Sequence, residues 1–227
     1  MDKIEKEFLN FILNAQFPCI GAKVAANKKL LNIIVCNDMN SPQDDFFILS
    51  QIYQFIRTWQ KKRELLQSFV VIFKNTCSLS EIEFEQTLWK RLQALHYLDS
   101  KFYSWDICVS SDVTDPNFSF SLGNKSFFII GMHPNSSRLA RQFTYPSLIF
   151  NLHEQFQILR QTGLFEKMRD KIRYRDVQLS GSSNPMICDF GDSSEALQYS
   201  GRITSKSYKC PFMIKNSEFE RVNSDEQ

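Results

Sequence analysis

The chain has 227 residues, 43% hydrophobic and 23% charged, with a formal net charge of +2. That length and balance fit one soluble globular domain. No basic block or acidic tail points to nucleic acid, and no apolar run is long enough to span a bilayer.

Phenylalanine is abundant, with 21 Phe against 7 Gly and 7 Pro. This fits an aromatic interior able to hold a large flat ligand; an AT-rich genome would give the same excess. The six cysteines (19, 36, 77, 108, 188 and 210) form no CxxC pair, which argues against a zinc site. Cys36 and Cys108 lie in apolar segments and read as core thiols. The N-terminus has no basic start followed by an apolar core, so it does not read as a signal peptide. The expectation is a reduced, cytoplasmic protein.

In chain order, residues 2–16 predict an amphipathic helix with Ile4, Phe8, Ile12 and Ala15 on one face, ended by Pro18. Leu30–Cys36 reads as a buried strand. Ser41 and Pro42 open a helix whose apolar positions (Phe46, Leu49, Ile52, Tyr53, Ile56) run to about Trp59. Lys61, Lys62 and Arg63 at its end complement the helix dipole. Gln67–Phe73 is a second buried strand, and the order strand, helix, strand implies a parallel crossover.

Ser80 and Glu83 form a capping box for a helix carrying Phe84, Leu88, Leu92, Leu95 and Leu98 inward. Trp105–Val109 reads as a short strand and Asp112–Asn117 as a loop. Phe118–Leu122 alternates like a half-buried strand, Gly123-Asn124 is a two-residue hairpin signal, and Phe127–Met132 returns as its partner. Pro146–Phe150 reads as one more strand. Asn151 begins a helix to about Gln161, Gly163 interrupts it, and Leu164–Tyr174 resumes. Ser180–Lys209 is polar with little periodicity and so belongs outside the core, either mobile or wrapped over a site. The fold class is α/β (α+β): one domain over residues 1–215, a mixed sheet flanked by helices, a long irregular C-terminal segment, and a frayed tail over 216–227.

Two of the three histidines fall between Ser126 and Arg160. His133 follows a strand and precedes Pro134, which holds it extended and ends the sheet. Strand ends commonly present ligand-site side chains, and a histidine merely hydrogen-bonded there fits equally well. Asn135 or Ser136 caps a short helix that sets Arg138 and Arg141 on one face. That spacing suits a carboxylate or phosphate, and equally a solvated face. Asn151 and Glu154 read as a capping box that puts His153 in the first helical turn. There the dipole favours the neutral imidazole that binds metals; a neutral histidine at the core edge needs the same features. His96, beside Leu95, reads as structural. No G-x-S-x-G elbow and no glycine-rich phosphate loop are present.

These residues sit in longer strings: GMHPNSSRLARQF (131–143), IFNLHEQFQILR (149–160), MRDKIRYRDVQLSGSSNPM (168–186), DFGDSSEALQYSGR (189–202) and CPF (210–212). In them the chain resembles the YqcI/YcgG family; the N-terminal half matches in layout only. Characterised relatives are heme-dependent N-hydroxylases of guanidino groups, on arginine or arginine-like amino acids, in guanitoxin and D-cycloserine biosynthesis. The resemblance therefore implies heme b, O2 as co-substrate, a small guanidino substrate and an external electron donor.

On that resemblance His153 and His133 are the candidate axial ligands, His153 preferred, with Cys210 as a rival thiolate. Arg138, Arg141 and Arg202 would meet propionates. Phe127, Phe128, Phe143, Phe150 and Phe156 would line the slot. Glu154, Asp176, Asp189 and Glu195 are the candidate carboxylates for a guanidinium. The expected site is one pocket to which a strand end and a helix start each offer a histidine. The competing class is non-catalytic: a heme carrier or sensor, or a heme-free stress-related binding protein.

Overall fold

In the computed structural model, residues 2–182, 189–205 and 208–214 are described. Five strands form one mixed sheet in the order β1-β2-β5-β4-β3. They are β1 (Leu31–Cys36), β2 (Ser68–Phe73), β3 (Phe120–Leu122), β4 (Lys125–Met132) and β5 (Ser147–Leu152). β1 and β2 are parallel, joined across α3 (Asp45–Lys62), and the other three pairings are antiparallel. Gly123 and Asn124, with φ of 59° and 57°, close the β3–β4 hairpin as their sequence predicts. The expected mixed sheet with flanking helices is therefore what forms.

The two-residue period of the strands sorts their side chains into two cores. On one face Phe69, Val71, Phe127, Ile129, Leu148 and Phe150 pack under α3 and α4 (Glu81–Asp99), with Trp59, Leu88 and Leu92. On the other face Val70, Ile72, Met132 and Ile149 meet Phe8 and Ile12 of α1 (Lys3–Leu13), with Phe17 and Phe143. Helices α2 (Ile20–Asn27), α5 (His153–Gln161) and α6 (Leu164–Ser180) complete that second side. Among the described residues no helix is long and apolar enough to cross a membrane.

Several local expectations are corrected. Trp105–Val109 is a turn, because the Asp106 carboxylate accepts from Cys108 N (3.0 Å) and Ser126 N (2.9 Å), occupying backbone donors a strand ladder would need. Cys108 is consequently exposed, whereas Cys36 is buried as expected. β3 is fully buried, since the C-terminal segment covers it. The first helix stops at Leu13, leaving Ala15 exposed, and Phe46 is 71% exposed. Helix α2 lacks a sequence signature: its N-cap acceptor is the Cys19 thiol, which takes a bond from Ala22 N at 3.4 Å.

The N-x-x-E box at Asn151 does not form. β5 runs through Leu152, and the Asn151 amide accepts from Ser68 Oγ (2.7 Å) and donates to Phe128 O (3.3 Å), tying neighbouring strands together. α5 starts at His153 without a side-chain cap.

The C-terminal segment is not peripheral. Glu195, Ala196, Gln198, Tyr199, Ser200 and Phe212 are buried. β3 pairs with β4 only over Lys125, Ser126 and Phe127, leaving the rest of that edge open, and Tyr199 fills it. Its carbonyl accepts from Gly131 N (2.7 Å), and its hydroxyl accepts from Phe120 N (3.0 Å) and donates to Phe127 O (3.2 Å). Glu85 of α4 then holds the segment, accepting from Ser200 Oγ (2.9 Å) and Arg202 Nε (3.0 Å). Cys188, residues 183–186 of the quoted strings and the 216–227 tail lie outside the described residues.

Candidate functional site

The second sheet face does not pack fully against its helices. A cavity of about 350 Å3 remains, at the small end of ligand-site volumes. Its floor is Phe128, Ile130 and Met132 of β4 with Val70 and Ile149 beside them, and α1, α2, α5 and α6 supply the walls. A larger groove, about 660 Å3, runs between α3 and α4 on the other face; Phe46, Trp89 and Tyr97 line it, and none of the candidate residues does.

The cavity has an excess of positive charge. Arg138, Arg141, Arg160, Arg169 and Arg173 line it, against Asp176, Asp189 and Glu195. Arg138 is buried and ion-paired with Asp176, and its terminal nitrogens also donate to Ser182 O (3.1 Å) and Oγ (3.3 Å). Asp189 is shared by Arg169 (2.7 Å) and Arg173 (2.9 Å). Arg141 donates to Tyr199 O (2.9 Å) and Gly131 O (3.3 Å), and burial pulls its pKa down to about 10. Arg160 lies over the Phe165 ring at 4.4 Å.

Glu195 sits on the cavity wall, and burial pushes its pKa up to about 7. The hydroxyls of Ser119 and Tyr199 oppose that shift, yet Oε2 has no hydrogen-bond partner of good geometry. His153 stands directly behind it. Its Nε2 is 3.8 Å from Glu195 Oε1, its ring is 4.3 Å from Phe190, and Nε2 is buried without a partner. Burial first, and Arg160 second, bring its pKa down to about 4, so the ring is neutral. Neutrality was expected from the helix start; desolvation is the larger cause.

The two histidines do not share a pocket. The odd residues of β4 face α4, and His133 continues that alternation. Its ring stacks on Phe84 at 4.2 Å, and burial lowers its pKa to about 4. Cys210 packs against the same α3/α4 core, its thiol pushed up to about 12 by burial, which disfavours a thiolate. Arg202 is likewise spent on Glu85. Glu154 lies away from the cavity, paired with Arg63 and Lys125 at 3.0 Å each. Of the five expected slot residues only Phe128 and Phe156 line the cavity. Phe127 and Phe150 point into the opposite core, and Phe143 is packed against Phe8.

The sequence reading missed Gln155, Arg160, Arg169, Arg173, Phe190 and Cys19, all cavity-lining. The i, i+4 spacing of Arg169 and Arg173 was the available signal; nothing local marks Gln155 or Cys19. Among the described residues no group of three or more His, Cys, Asp or Glu could hold a metal ion. The family model described as the YqcI/YcgG family matches residues 8–213. No curated protein and no solved structure matches the chain.

Proposed function

We propose, from the premise that the chain belongs to the YqcI/YcgG family, that it is a heme-dependent monooxygenase hydroxylating a guanidino nitrogen of arginine or an arginine-like small molecule. The observation that carries the reading is the arginine-rich, apolar-floored cavity with a neutral imidazole, His153, directly behind its wall.

The fit to heme rests on three features. Phe128, Ile130, Phe156 and Phe190 offer apolar surface. Arg160, Arg169 and Arg173 offer cations for propionates. His153 Nε2 is a buried nitrogen with no other partner, in the form that ligates iron. His133 and Cys210 belong to the other face and are not part of this proposal. When bound, heme would supply reductive activation of O2, which no side chain of the protein can do.

The remaining work falls to the chain. Glu195 accepts an N–H of the guanidinium and fixes which nitrogen is presented. The cover of α1, α2 and α6 keeps water from the reacting end. Asp176 and Asp189 hold arginines in place rather than substrate, since each is already paired. Electrons come from a separate donor, because the chain carries no nicotinamide or flavin motif. The working compartment is the cytoplasm, where the thiols of the five described cysteines stay free.

The test is an absorption spectrum of the purified protein with and without hemin, followed by turnover with L-arginine, reductant and O2. A Soret band and N-hydroxylated product support the reading. A band without product identifies a carrier or sensor. A second reading, a heme-free binding protein for a small anion, draws on the absence of any histidine from the described cavity lining and on the cavity's modest size; the absence of a band would select it.

A further inference from the structure

The two edges of the sheet are finished differently. At one edge β3 is short (3 residues), and Tyr199 covers what it leaves. At the other edge β1 has 6 residues in unbroken register with β2, and no strand lies beyond it among the described residues. Its sequence, LNIIVC, holds no charge, proline or glycine. Charges, proline and bulges are the devices that normally blunt a sheet edge.

Hydrogen-bond parity shows which backbone groups face outward. The Leu30 and Cys36 carbonyls accept from Ser68 N (3.3 Å) and Lys74 N (3.1 Å). Alternate residues of a strand face the same neighbour, so Leu30, Asn32, Ile34 and Cys36 turn their backbone to β2. Leu31, Ile33 and Val35 turn theirs outward. Among the described residues nothing bonds to the N–H and C=O groups of these three. Their apolar side chains are only half-buried.

The edge is complementary to itself. Two copies related by a two-fold axis pair edge to edge only in the antiparallel sense. With the axis at Ile33, Ile33 meets its own counterpart and Leu31 meets Val35. All are hydrogen-bonded pairs, giving about six inter-strand bonds. The same register brings Lys28 of one copy, which is exposed, beside Asp38 of the other, at both ends of the ladder. A register shifted by two residues leaves an outward residue unpaired and breaks the charge match.

We propose that β1 is a homodimer interface, to which a second copy of this chain adds its own β1 antiparallel about Ile33, joining the two sheets into one. The proposal uses neither the cavity nor heme and stands apart from the proposed function.

Light scattering on the purified protein over about a hundred-fold dilution tests it. Wild type is expected as a dimer that dissociates on dilution. I33K sets like charges against each other at the axis and is expected to be monomeric. K28E and D38K each put repulsion in place of attraction at both ends, and each is expected to dimerise about ten-fold more weakly at low salt. An equimolar mixture of K28E and D38K matches opposite charges again and is expected to regain wild-type affinity. Neither residue belongs to a core cluster, so this arm stands should I33K fail to fold. Amide exchange by NMR is the second readout. Protection at Leu31, Ile33 and Val35 should rise with concentration, while that at Asn32 and Ile34 stays constant. A wild type monomeric throughout, a dimer indifferent to a folded I33K, or a mixture no tighter than its components overturns the proposal. So does an exchange pattern without the odd–even alternation.

Discussion

His153 Nε2 lies 3.8 Å from Glu195 Oε1, and both side chains are buried. The contact ties the first turn of α5 to the C-terminal segment, two parts of the chain forty-two positions apart. Burial acts on the two partners in opposite directions, keeping the imidazole neutral and favouring the protonated carboxyl.

The two histidines should separate cleanly by variant. H153A is expected to abolish the Soret band after hemin addition, whereas H133A leaves it intact. H133A loses the stack on Phe84 and should cost roughly 2 kcal/mol or more of stability. Hemin titration and urea unfolding of both variants check this; an unaltered band in H153A would reject the ligand assignment.

The Arg138–Asp176 pair is buried on both sides, so removing the carboxylate strands a charge. D176N should destabilise by roughly 3–5 kcal/mol. Asp189 has a side chain 34% exposed, and D189N should cost less than about 1 kcal/mol. Equal unfolding midpoints for the two variants would contradict this ranking.

Gly201 has φ of +83°, and a Cβ there would lie 2.6 Å from Arg141 Cδ. G201A is therefore expected to lose roughly 2 kcal/mol or more, from backbone strain and overpacking together. Gly163 also has positive φ (67°), but nothing lies near its missing Cβ, so G163A should cost less. Thermal melts of the pair separate the steric part from the conformational part.

Asp99 carries a pH signature. Its Oδ1 accepts from Tyr53 OH (2.6 Å) and Gly123 N (2.9 Å), while burial raises its pKa from 3.8 to about 6. Between those values the folded state keeps a proton the unfolded state has released. Its contribution is therefore largest below the lower value, falls as pH rises toward 6, and is flat above it. The span is roughly 3 kcal/mol. Urea unfolding of wild type and D99N from pH 3.5 to 7 should show this slope in the difference; parallel curves would refute it.

Tyr199 closes the β4 edge with its hydroxyl as well as its carbonyl. Y199F leaves Phe120 N and Phe127 O without that partner in a buried site and should cost roughly 1–3 kcal/mol. Amide hydrogen exchange at Phe120 is the direct readout; wild-type protection there would count against the bridge.

Local pattern in the sequence determined most of the fold. The apolar runs of Gln67–Phe73 and Phe127–Met132, the Gly123-Asn124 turn and the Ser80–Glu83 capping box each act over a few residues, and each formed as read. The charged residues that line the cavity all fall within the family strings, while much of its apolar lining comes from the N-terminal half. What local pattern could not supply was which face each residue serves. His133 and His153 lie in one stretch, yet strand parity sends the first toward α4 while the start of α5 sends the second to Glu195. Asn151 looked like a helix cap and became a cross-strand tie, because strand pairing outcompeted a local hydrogen bond. The polar C-terminal segment became core because β3 begins only at Phe120, and the Gly131 N–H further along β4 is met by the distant Tyr199 carbonyl. Gln155 of α5 and Glu195 of the C-terminal segment line one cavity, a juxtaposition that tertiary packing alone decides.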